Sequence, residues 1–253
     1  MKIIGIIPAR MASTRFPGKP LAKILGKPMI EHVYSRSSLC KRLSDVYIAT
    51  PDKEIRDYCI KNNMNVVMTK DTHERASDRA AEAMLKIEKA TKKKADIVVM
   101  IQGDEPMILH EMIDRAIIPL EKDRRIYITN LMAPLESREE EDDPNQVKVV
   151  VDKNGFALYF SREPIPSRKK GAKDVLMYKQ VAIIPFRRDF LIKFNKLSPM
   201  PLEKVESVDM LRVLEHGYKV KMIPVSCGTN SVDTPQDLKK VENLMKGEVV
   251  YNE

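Results

Sequence analysis

The chain alternates short apolar runs with longer segments in which apolar residues recur at helical spacing. The runs predict strands at Ile3–Ile7, Val46–Thr50, Asn65–Met68, Ile97–Ile101 and Ile126–Met132. The segments between them predict helices at about 29–41, 52–62, 77–91 and 110–121. Because the runs are continuous in Ile and Val rather than alternating, they are typical of strands covered on both faces. The order of strands and helices predicts an α/β fold with a mostly parallel central sheet.

The pattern changes after residue 133. An acidic stretch at 136–143 predicts a loop, and three further strands are predicted at Val147–Val151, Ala157–Phe160 and Val181–Phe186. The tetrad Asp152-Lys153-Asn154-Gly155 predicts a hairpin turn between the first two of these strands. A helix at about 203–216, a strand at 219–225 and a helix at 235–246 complete the pattern. We predict one domain over residues 1–246 and a disordered tail at 247–253.

Composition and charge exclude several classes of protein. Hydrophobic residues make up 43% of the 253 positions, yet no apolar run approaches the roughly 20 residues that span a membrane, so a soluble, cytoplasmic protein is expected. Cys40, Cys59 and Cys227 form no Cys-x-x-Cys pair, which predicts reduced thiols rather than a zinc site or disulfides. The net charge of +8 is spread along the chain, and therefore nucleic-acid binding is not expected.

A cationic loop follows the first predicted strand directly. Its polar side chains are Arg10, Ser13, Thr14, Arg15 and Lys19. In open α/β sheets, ligands bind beyond the carboxyl ends of the strands. Arginine presents a planar fork of donors that matches phosphate oxygens, and lysine adds a point charge. The loop therefore predicts a polyphosphate site, with a solvated basic loop as the alternative. It matches neither the Walker A motif nor the dinucleotide fingerprint.

Two acidic motifs supply candidate metal ligands. Asp104 follows the strand predicted at Ile97–Ile101, and Asp233 precedes the last predicted helix. Magnesium prefers one or two carboxylates together with phosphate oxygens and water. Each aspartate has a structural alternative: Asp104 suits a turn or a helix cap, and Asp233, before Thr234 and Pro235, suits the cap of the last helix.

Arg162 follows the strand predicted at Ala157–Phe160. Its guanidinium is suited to clamp a carboxylate with two hydrogen bonds, and equally to pair with an acidic surface loop. A basic loop for a triphosphate, carboxylates for magnesium and an arginine for an anionic second substrate together indicate nucleotidyl transfer. In that chemistry the protein mainly positions the reactants and stabilises charge.

Five motifs follow one another in order over nearly the whole chain. They are Pro8-Ala9-Arg10-Met11-Ala12-Ser13-Thr14-Arg15-Phe16-Pro17-Gly18-Lys19-Pro20, Gly26-Lys27-Pro28-Met29-Ile30, Gln102-Gly103-Asp104-Glu105-Pro106, Ala157-Leu158-Tyr159-Phe160-Ser161-Arg162 and Val232-Asp233-Thr234-Pro235. In this order they resemble the 3-deoxy-manno-octulosonate (Kdo) cytidylyltransferase family. The resemblance implies a cytoplasmic homodimer with a Rossmann-like nucleotide-diphosphosugar transferase fold. It places a β-rich region for substrate binding and dimerisation at about 145–200.

The resemblance also implies a reaction and a set of site residues. In the presence of Mg²⁺, CTP and Kdo would give CMP-Kdo and diphosphate for lipopolysaccharide or another surface glycan. Nucleotide contacts would come from Pro8, Ala9, Arg10, Ser13, Thr14, Arg15, Lys19, Ser77 and Gln102. Sugar-acid contacts would come from Gln102, Arg162, Gln180 and Glu206. Magnesium would be held by Asp104 and Asp233, and the catalytic set would be Arg10, Lys19, Asp104 and Asp233.

The chain departs from the family pattern mainly on the sugar side. Gln180 and Ile184 stand where the family usually has His and Tyr, and Met210 stands where Gln is usual. The family's Ser-Gly-Thr-Glu-Arg beside the base reads Arg75-Ala76-Ser77-Asp78-Arg79. A site that hydrogen-bonds a hydroxyl discriminates by about 10⁴-fold or more, so such changes affect the choice of acceptor. The alternatives are 8-amino-Kdo, another 2-keto sugar acid or a phosphonate as acceptor, a nucleotide other than CTP, or a non-catalytic nucleotide- or RNA-binding protein.

Overall fold

The computed structural model describes residues 1–13, 15–171, 175–226 and 228–251. The strands are β1 Ile3–Pro8, β2 Lys23–Ile24, β3 Lys27–Pro28, β4 Asp45–Thr50, β5 Val66–Met68, β6 Ile97–Ile101, β7 Thr129–Pro134, β8 Lys148–Val151, β9 Ala157–Ser161, β10 Tyr178–Val181, β11 Ile183–Arg187 and β12 Lys221–Pro224. The helices are α1 Met29–Ser38, α2 Lys53–Lys61, α3 Ala76–Thr91, α4 His110–Lys122, α5 Arg138–Asp142, α6 Arg188–Phe194, α7 Pro201–Glu206, α8 Asp209–Glu215 and α9 Pro235–Tyr251. A short 3-10 helix covers Lys19–Leu21.

The chain forms two compact units where the sequence predicts one domain with a subregion. The first unit is Met1–Asp114 with Thr229–Glu253, and the second is Arg115–Gly228. The second unit contains the subregion predicted at about 145–200 and extends beyond it at both ends. Helix α9 belongs to the first unit and continues past the predicted boundary at residue 246.

The first unit is built on parallel strands in the order β6-β1-β4-β5. Strand β6 is fully buried, and β1 is buried over its first five residues, as continuous apolar runs predict. The helices α1, α2 and α3 connect these strands, so the predicted α/β class with a parallel sheet is confirmed. A separate apolar cluster of Ile24, Met29, Val232, Val241 and Met245 packs α9 against β2 and the start of α1.

The second unit is a mixed sheet in the order β12-β7-β10-β8-β9. Strands β7, β10, β8 and β9 are successively antiparallel, and β12 runs parallel to β7. The predicted hairpin between β8 and β9 is confirmed: Asp152 Oδ1 accepts hydrogen bonds from the main-chain N–H groups of Asn154 and Phe156 at 2.8 and 2.9 Å. Gly155 turns the chain with a φ of 73°.

Several elements of the second unit differ from the sequence prediction. The strand predicted at Ile126–Met132 is shifted to Thr129–Pro134, and the helix predicted at 203–216 is two helices, α7 and α8. The break falls at Ser207, whose φ of 52° is left-handed and ends α7. The acidic loop predicted at 136–143 contains the short helix α5, capped by Ser137, whose Oγ accepts a bond from the N–H of Glu140. Helix α6 was not predicted.

Two cysteines lie in the part of the first unit that the structure describes. Cys40 and Cys59 are free, buried thiols, and burial raises the pKa of each to about 11. These two positions hold free, buried thiols, while Cys227 lies outside the described residues. Within the described ranges, no helix has the length and apolar character that crossing a membrane requires.

Candidate active site

A cavity of about 790 Å³ opens in the first unit, at the carboxyl ends of its parallel strands. This volume is in the range of pockets that enclose small ligands. Loops after β1 and β6, the start of α3 and the segment before α9 form its walls. Its lining residues are Pro8, Ala9, Arg10, Met11, Ala12, Ser13, Arg15, Pro17, Lys19, Pro20, Met29, His73, Glu74, Arg75, Ala76, Arg79, Gln102, Gly103, Asp104 and Asp233.

The ends of β1 and β6 approach each other closely at one wall of this cavity. A Cβ built on Gly103 would lie only 3.0 Å from the main-chain oxygen of Pro8, so a larger residue would force the two loops apart. Glycine at this position lets Gln102 and Asp104 flank the start of the cationic loop. The segment Gln102-Gly103-Asp104 therefore takes its position from backbone packing.

The cationic loop is fixed at both ends by hydrogen bonds. The N–H of Met11 donates to Asp52 Oδ2 at 2.8 Å, and the N–H of Gly18 donates to the oxygen of Met11 at 3.1 Å. Gly18 has a φ of 74°, which turns the chain into the 3-10 helix that begins at Lys19. The loop thus closes on itself, and it directs Lys19 inward.

Lys19 lies between the two predicted metal ligands. Its Nζ is 2.8 Å from Asp104 Oδ2 and 3.1 Å from Asp233 Oδ1, and Arg15 also pairs with Asp233 Oδ1 at 3.0 Å. The Lys19 side chain is 14% exposed, against 53% for Arg15. Burial disfavours the charged ammonium, but the carboxylates, Asp104 first, outweigh it, and the pKa of Lys19 is raised.

The start of α9 leaves the carboxylate of Asp233 available to the cavity. Asp237 Oδ2 accepts hydrogen bonds from the N–H groups of Asp233 and Thr234 at 3.1 and 2.8 Å, and Thr234 Oγ1 accepts from the N–H of Asp237 at 3.2 Å. This reciprocal pattern is a capping box. Thr234 therefore caps the helix, and Asp233 does not. A main-chain bond of 2.9 Å from Val232 N–H to the oxygen of Asp104 joins the two acidic segments.

The arrangement fits a magnesium ion of the kind held jointly by protein and substrate. Two carboxylates converge on one point, and Mg²⁺ usually completes its octahedron with phosphate oxygens and waters. In the part of the chain that the structure describes, no group of three or more His, Cys, Asp or Glu side chains could hold a metal without substrate. Asp104 and Asp233 are the two carboxylates of this cavity that could share such an ion with a substrate.

The start of α3 forms a wall that sequence reasoning largely missed. His73, Glu74, Arg75 and Arg79 line the cavity, and only the family resemblance drew attention to 75–79. These residues follow β5, so the rule that ligands bind at the carboxyl ends of parallel strands would have found them. Arg79 is 3% exposed. It donates to Thr69 Oγ1 at 2.6 Å and to the oxygens of Lys70 and His73, which holds the 69–73 segment in place.

A second network of hydrogen bonds, centred on Glu82, supports this wall. Glu82 accepts hydrogen bonds from Lys86 Nζ at 2.8 Å, from the N–H of Lys70 at 2.9 Å and from His73 Nε2 at 2.5 Å. Burial alone would raise the pKa of Glu82, but these donors outweigh it and lower the pKa to about 2. The carboxylate of Glu82 therefore fixes one end of the loop that carries His73.

The first unit gathers most of the predicted nucleotide and metal residues around the cavity. Pro8, Ala9, Arg10, Ser13, Arg15, Lys19, Gln102, Asp104 and Asp233 all line it. Ser77 is fully buried in α3 and is not among the lining residues. Thr14 lies outside the described residues. Among the described lining residues, cationic side chains outnumber carboxylates, as an anionic ligand requires.

The predicted sugar-acid residues Arg162, Gln180 and Glu206 lie in the second unit. Arg162 donates to three main-chain oxygens, those of Glu206 at 2.6 Å, Pro144 at 2.7 Å and Ser207 at 3.2 Å. In this structure its guanidinium holds α7 to the 144 segment rather than presenting a free fork. Gln180 donates through Nε2 to Asn130 Oδ1 at 2.5 Å.

Glu206 accepts three hydrogen bonds within the second unit. The donors are the hydroxyls of Tyr159 and Ser161, both at 3.2 Å, and the N–H of Arg162 at 2.8 Å. The carboxylate of Glu206 and the guanidinium of Arg162 therefore tie α7 to the end of β9 from both sides.

The fold and the cavity define an α/β protein of the nucleotidyltransferase class, and comparison with known proteins narrows the class. A family model described as cytidylyltransferase matches residues 4–223. The 3-deoxy-manno-octulosonate cytidylyltransferase of Geobacter metallireducens is 44% identical over 251 residues, which cover 95% of this chain and 96% of that protein. The enzyme of the same name from Geotalea uraniireducens is 42% identical, covering 97% of this chain and 100% of that protein.

A solved structure of an enzyme of this kind is also similar to the chain. CMP:2-keto-3-deoxy-manno-octonic acid synthetase complexed with CTP superimposes with a TM-score of 0.90 and 36% identity, over 98% of this chain and 100% of that one. The chain belongs to the 3-deoxy-manno-octulosonate cytidylyltransferase family.

Proposed function

We propose that the protein transfers the cytidylyl group of CTP to the 2-keto sugar acid Kdo and releases diphosphate. The observation that carries this proposal is the meeting of a cationic loop with two carboxylates around Lys19, inside the cavity of the first unit. Relatives that carry this activity in their names match the chain over nearly its whole length. The product, CMP-Kdo, would serve lipopolysaccharide or another surface glycan.

The cationic side chains of the cavity suit the triphosphate of the nucleotide. Arg10, Arg15 and Lys19 come from one short loop whose ends are fixed by hydrogen bonds. A loop held in this way need not be reorganised when charge moves toward the leaving diphosphate, which is the condition for effective electrostatic stabilisation. Pro8, Ala9 and Gln102 would border the nucleoside or the sugar acid.

The reaction requires an in-line displacement at the α-phosphorus. The anomeric hydroxyl oxygen of the sugar acid forms a bond to phosphorus while the bond to the bridging oxygen of the diphosphate breaks. The hydroxyl proton leaves to solvent or to a phosphate oxygen, and the electron pair of the broken bond leaves with the diphosphate. The role of Arg15 and Lys19 is to hold the β- and γ-phosphates in line and to stabilise their increasing charge.

Magnesium belongs to the proposal as the cofactor. Asp104 and Asp233 would hold it, and the bound ion would supply Lewis-acid stabilisation of the phosphate oxygens. The support comes from two converging carboxylates that are 28% and 25% exposed, a donor set that suits an ion shared with substrate phosphates.

The identity of the acceptor can be tested directly. Diphosphate release should be measured with CTP and Mg²⁺ against Kdo, 8-amino-Kdo, a sialic-acid-type sugar and a small phosphonate. We expect Kdo to give the highest kcat/KM. Turnover with another acid and none with Kdo would contradict the proposed acceptor while retaining cytidylyl transfer. Because Gln180 and Ile184 depart from the family pattern, 8-amino-Kdo is the competitor to compare most closely.

We further propose a homodimer that acts in the cytoplasm, where CTP is available. The second unit exposes large apolar side chains, among them Leu158 at 62%, Val205 at 81% and Leu202 at 42%. Scattered exposed apolar residues are common, but three on one β-strand and one short helix are suited to an interface between copies. Light scattering after gel filtration would test it: we expect twice the mass of the 29.0 kDa chain, and Val205→Asp should shift the mass toward one chain.

A further inference from the structure

Lys19 contacts both of the carboxylates that would hold the metal. Its Nζ is within hydrogen-bond distance of Asp104 Oδ2 and Asp233 Oδ1, at 2.8 and 3.1 Å. Arg15 adds a second cation at Asp233 Oδ1, 3.0 Å away. The protein therefore neutralises its own candidate metal ligands.

An ammonium and a divalent ion compete for such a position. Both are attracted to the same two carboxylates, and two cations held between these carboxylates would repel each other strongly in a partly buried site. With the Lys19 side chain only 14% exposed, water screens this repulsion weakly. The amine must therefore withdraw from at least one carboxylate before a metal ion can coordinate both.

A polyphosphate supplies the reason for the amine to withdraw. It brings several negative charges next to Lys19 and Arg15, so that the two cations gain an anionic partner in exchange for the carboxylates. Both residues extend from the same loop, and Arg15 is 53% exposed, so its side chain has room to change partner.

From this geometry we propose that Lys19 is an internal counter-ion of the metal carboxylates, which releases them when the nucleotide's phosphates take it over. The inference rests on the proposed function, since it assumes that the cavity binds CTP. Divalent cation and nucleotide then bind with positive coupling, because each favours the arrangement in which Lys19 has left the carboxylates. Lys19 is thus a positioning residue for the metal ligands as well as a phosphate contact.

The test is the variant Lys19→Met, which keeps the length of the side chain and removes its charge. Mn²⁺ binding to the nucleotide-free protein should be measured from the electron paramagnetic resonance signal of the free ion. We expect Lys19→Met to bind Mn²⁺ about tenfold more tightly than the wild type, which corresponds to about 1.4 kcal/mol. Calorimetry in EDTA should show the opposite change for CTP, with binding about tenfold weaker.

Opposite changes for the two ligands distinguish this role from general damage to the site, which would weaken both. Lys23→Met is the matched control, since Lys23 is exposed on β2 and its removal should leave Mn²⁺ binding unchanged. Adding Asp104→Asn to Lys19→Met should abolish the tight Mn²⁺ site. If Lys19→Met is poorly folded by thermal melting, Lys19→Gln replaces it.

Two results would overturn the inference. One is Mn²⁺ binding to the folded variant that is no tighter than to the wild type. The other is tighter binding that persists in the double variant, because the ion would then lie away from Asp104. The proposed function fails separately, if the wild type releases no diphosphate from CTP with any acceptor of the panel.

Discussion

Lys19 in the first unit and Arg162 in the second were both predicted to bind anionic parts of the substrates, yet the structure engages them differently. Lys19 pairs with two aspartate side chains that line an open cavity. Arg162 donates to three main-chain carbonyl oxygens. A side-chain partner can be exchanged for a ligand by a rotation, whereas a main-chain partner is fixed by the fold around it.

This difference separates two kinds of cation that look alike in a sequence. The ion pairs around Lys19 can be exchanged for contacts with a ligand. Their loss should therefore change activity more than stability. Hydrogen bonds from Arg162 satisfy carbonyl groups of α7 and of the 144 segment, and their loss should change stability first. Variants in the two units therefore test whether the distinction holds.

The largest expected effect is that of Asp104→Asn on turnover. The substitution removes a charge that we propose binds magnesium but keeps the shape of the side chain, so diphosphate release should fall by about 10³-fold or more. The melting temperature should change little, because Lys19 keeps its partner Asp233. Asp57→Asn on the exposed face of α2 is the control and should retain full activity. A folded Asp104→Asn protein with near wild-type turnover would contradict the role of Asp104.

Arg162→Ala should show the reverse pattern. Three main-chain oxygens lose their donor, and we expect the free energy of unfolding to fall by about 2–3 kcal/mol in urea denaturation. Arg125→Ala is the matched control. The Arg125 side chain is 90% exposed and pairs with the nearby Asp123, so this variant should leave the free energy of unfolding nearly unchanged.

The kinetics of Arg162→Ala test the role that the sequence predicts for Arg162. If the guanidinium also contacts the sugar carboxylate, the KM for Kdo should rise more than the KM for CTP. Equal losses for both substrates would contradict that role and leave Arg162 as a structural residue of the second unit.

The parts of the fold that sequence predicted well are those in which one signal dominates. Ile97–Ile101 is fully buried and its predicted bounds are those of β6. An apolar run of 5 residues that is rich in β-branched side chains and lies between polar turns is too short for a helix. The hairpin at Asp152–Gly155 was similarly clear, since an apolar segment precedes and another follows a strong turn sequence. Positions after the ends of such strands then indicated Asp104 as a site residue.

The errors lie where tertiary contacts override local pattern. Ser207 interrupts the helix predicted at 203–216 in a left-handed conformation that few residues adopt without support, and its carbonyl is one of the acceptors of Arg162. Local pattern does not indicate the wall at 73–79, because its charges resemble an exposed helix start. Its position after the carboxyl end of β5 is the signal that it lines the cavity. The hydrogen-bond partners of a side chain such as Arg162 lie in segments distant in sequence, so a local pattern cannot predict them.

Glu82→Gln tests whether the first unit also contains charged groups whose main role is to stabilise the fold. Glu82 accepts hydrogen bonds from Lys86, Lys70 and His73. In the folded protein the pKa of Glu82 is about 2, below its ordinary value of 4.5. A lowered pKa stabilises the protein above pH 4.5, and this contribution is lost as the pH falls from 4.5 toward 2. At pH 7 the variant should be less stable by about 1–2 kcal/mol, and the difference should shrink below about pH 4. Urea denaturation at several pH values measures this difference in the free energy of unfolding. Glu54→Gln, at an exposed position of α2, is the control. A difference that does not change with pH would contradict the lowered pKa of Glu82.

The smallest expected effect compares a turn glycine from each unit. Gly26, between β2 and β3, has a φ of 82° and a Cβ there would point into open space, whereas Gly155 has a φ of 73° and a Cβ there would lie 3.1 Å from Lys221 Nζ. Alanine at either site should cost about 1 kcal/mol, because the left-handed backbone is strained for any L side chain. Gly155→Ala should cost a few tenths more, since Lys221 must also move while it donates to the oxygen of Asn154. Equal losses in urea denaturation would mean that the Lys221 side chain adjusts freely and that the second unit is less tightly constrained at this turn than its hydrogen bonds indicate.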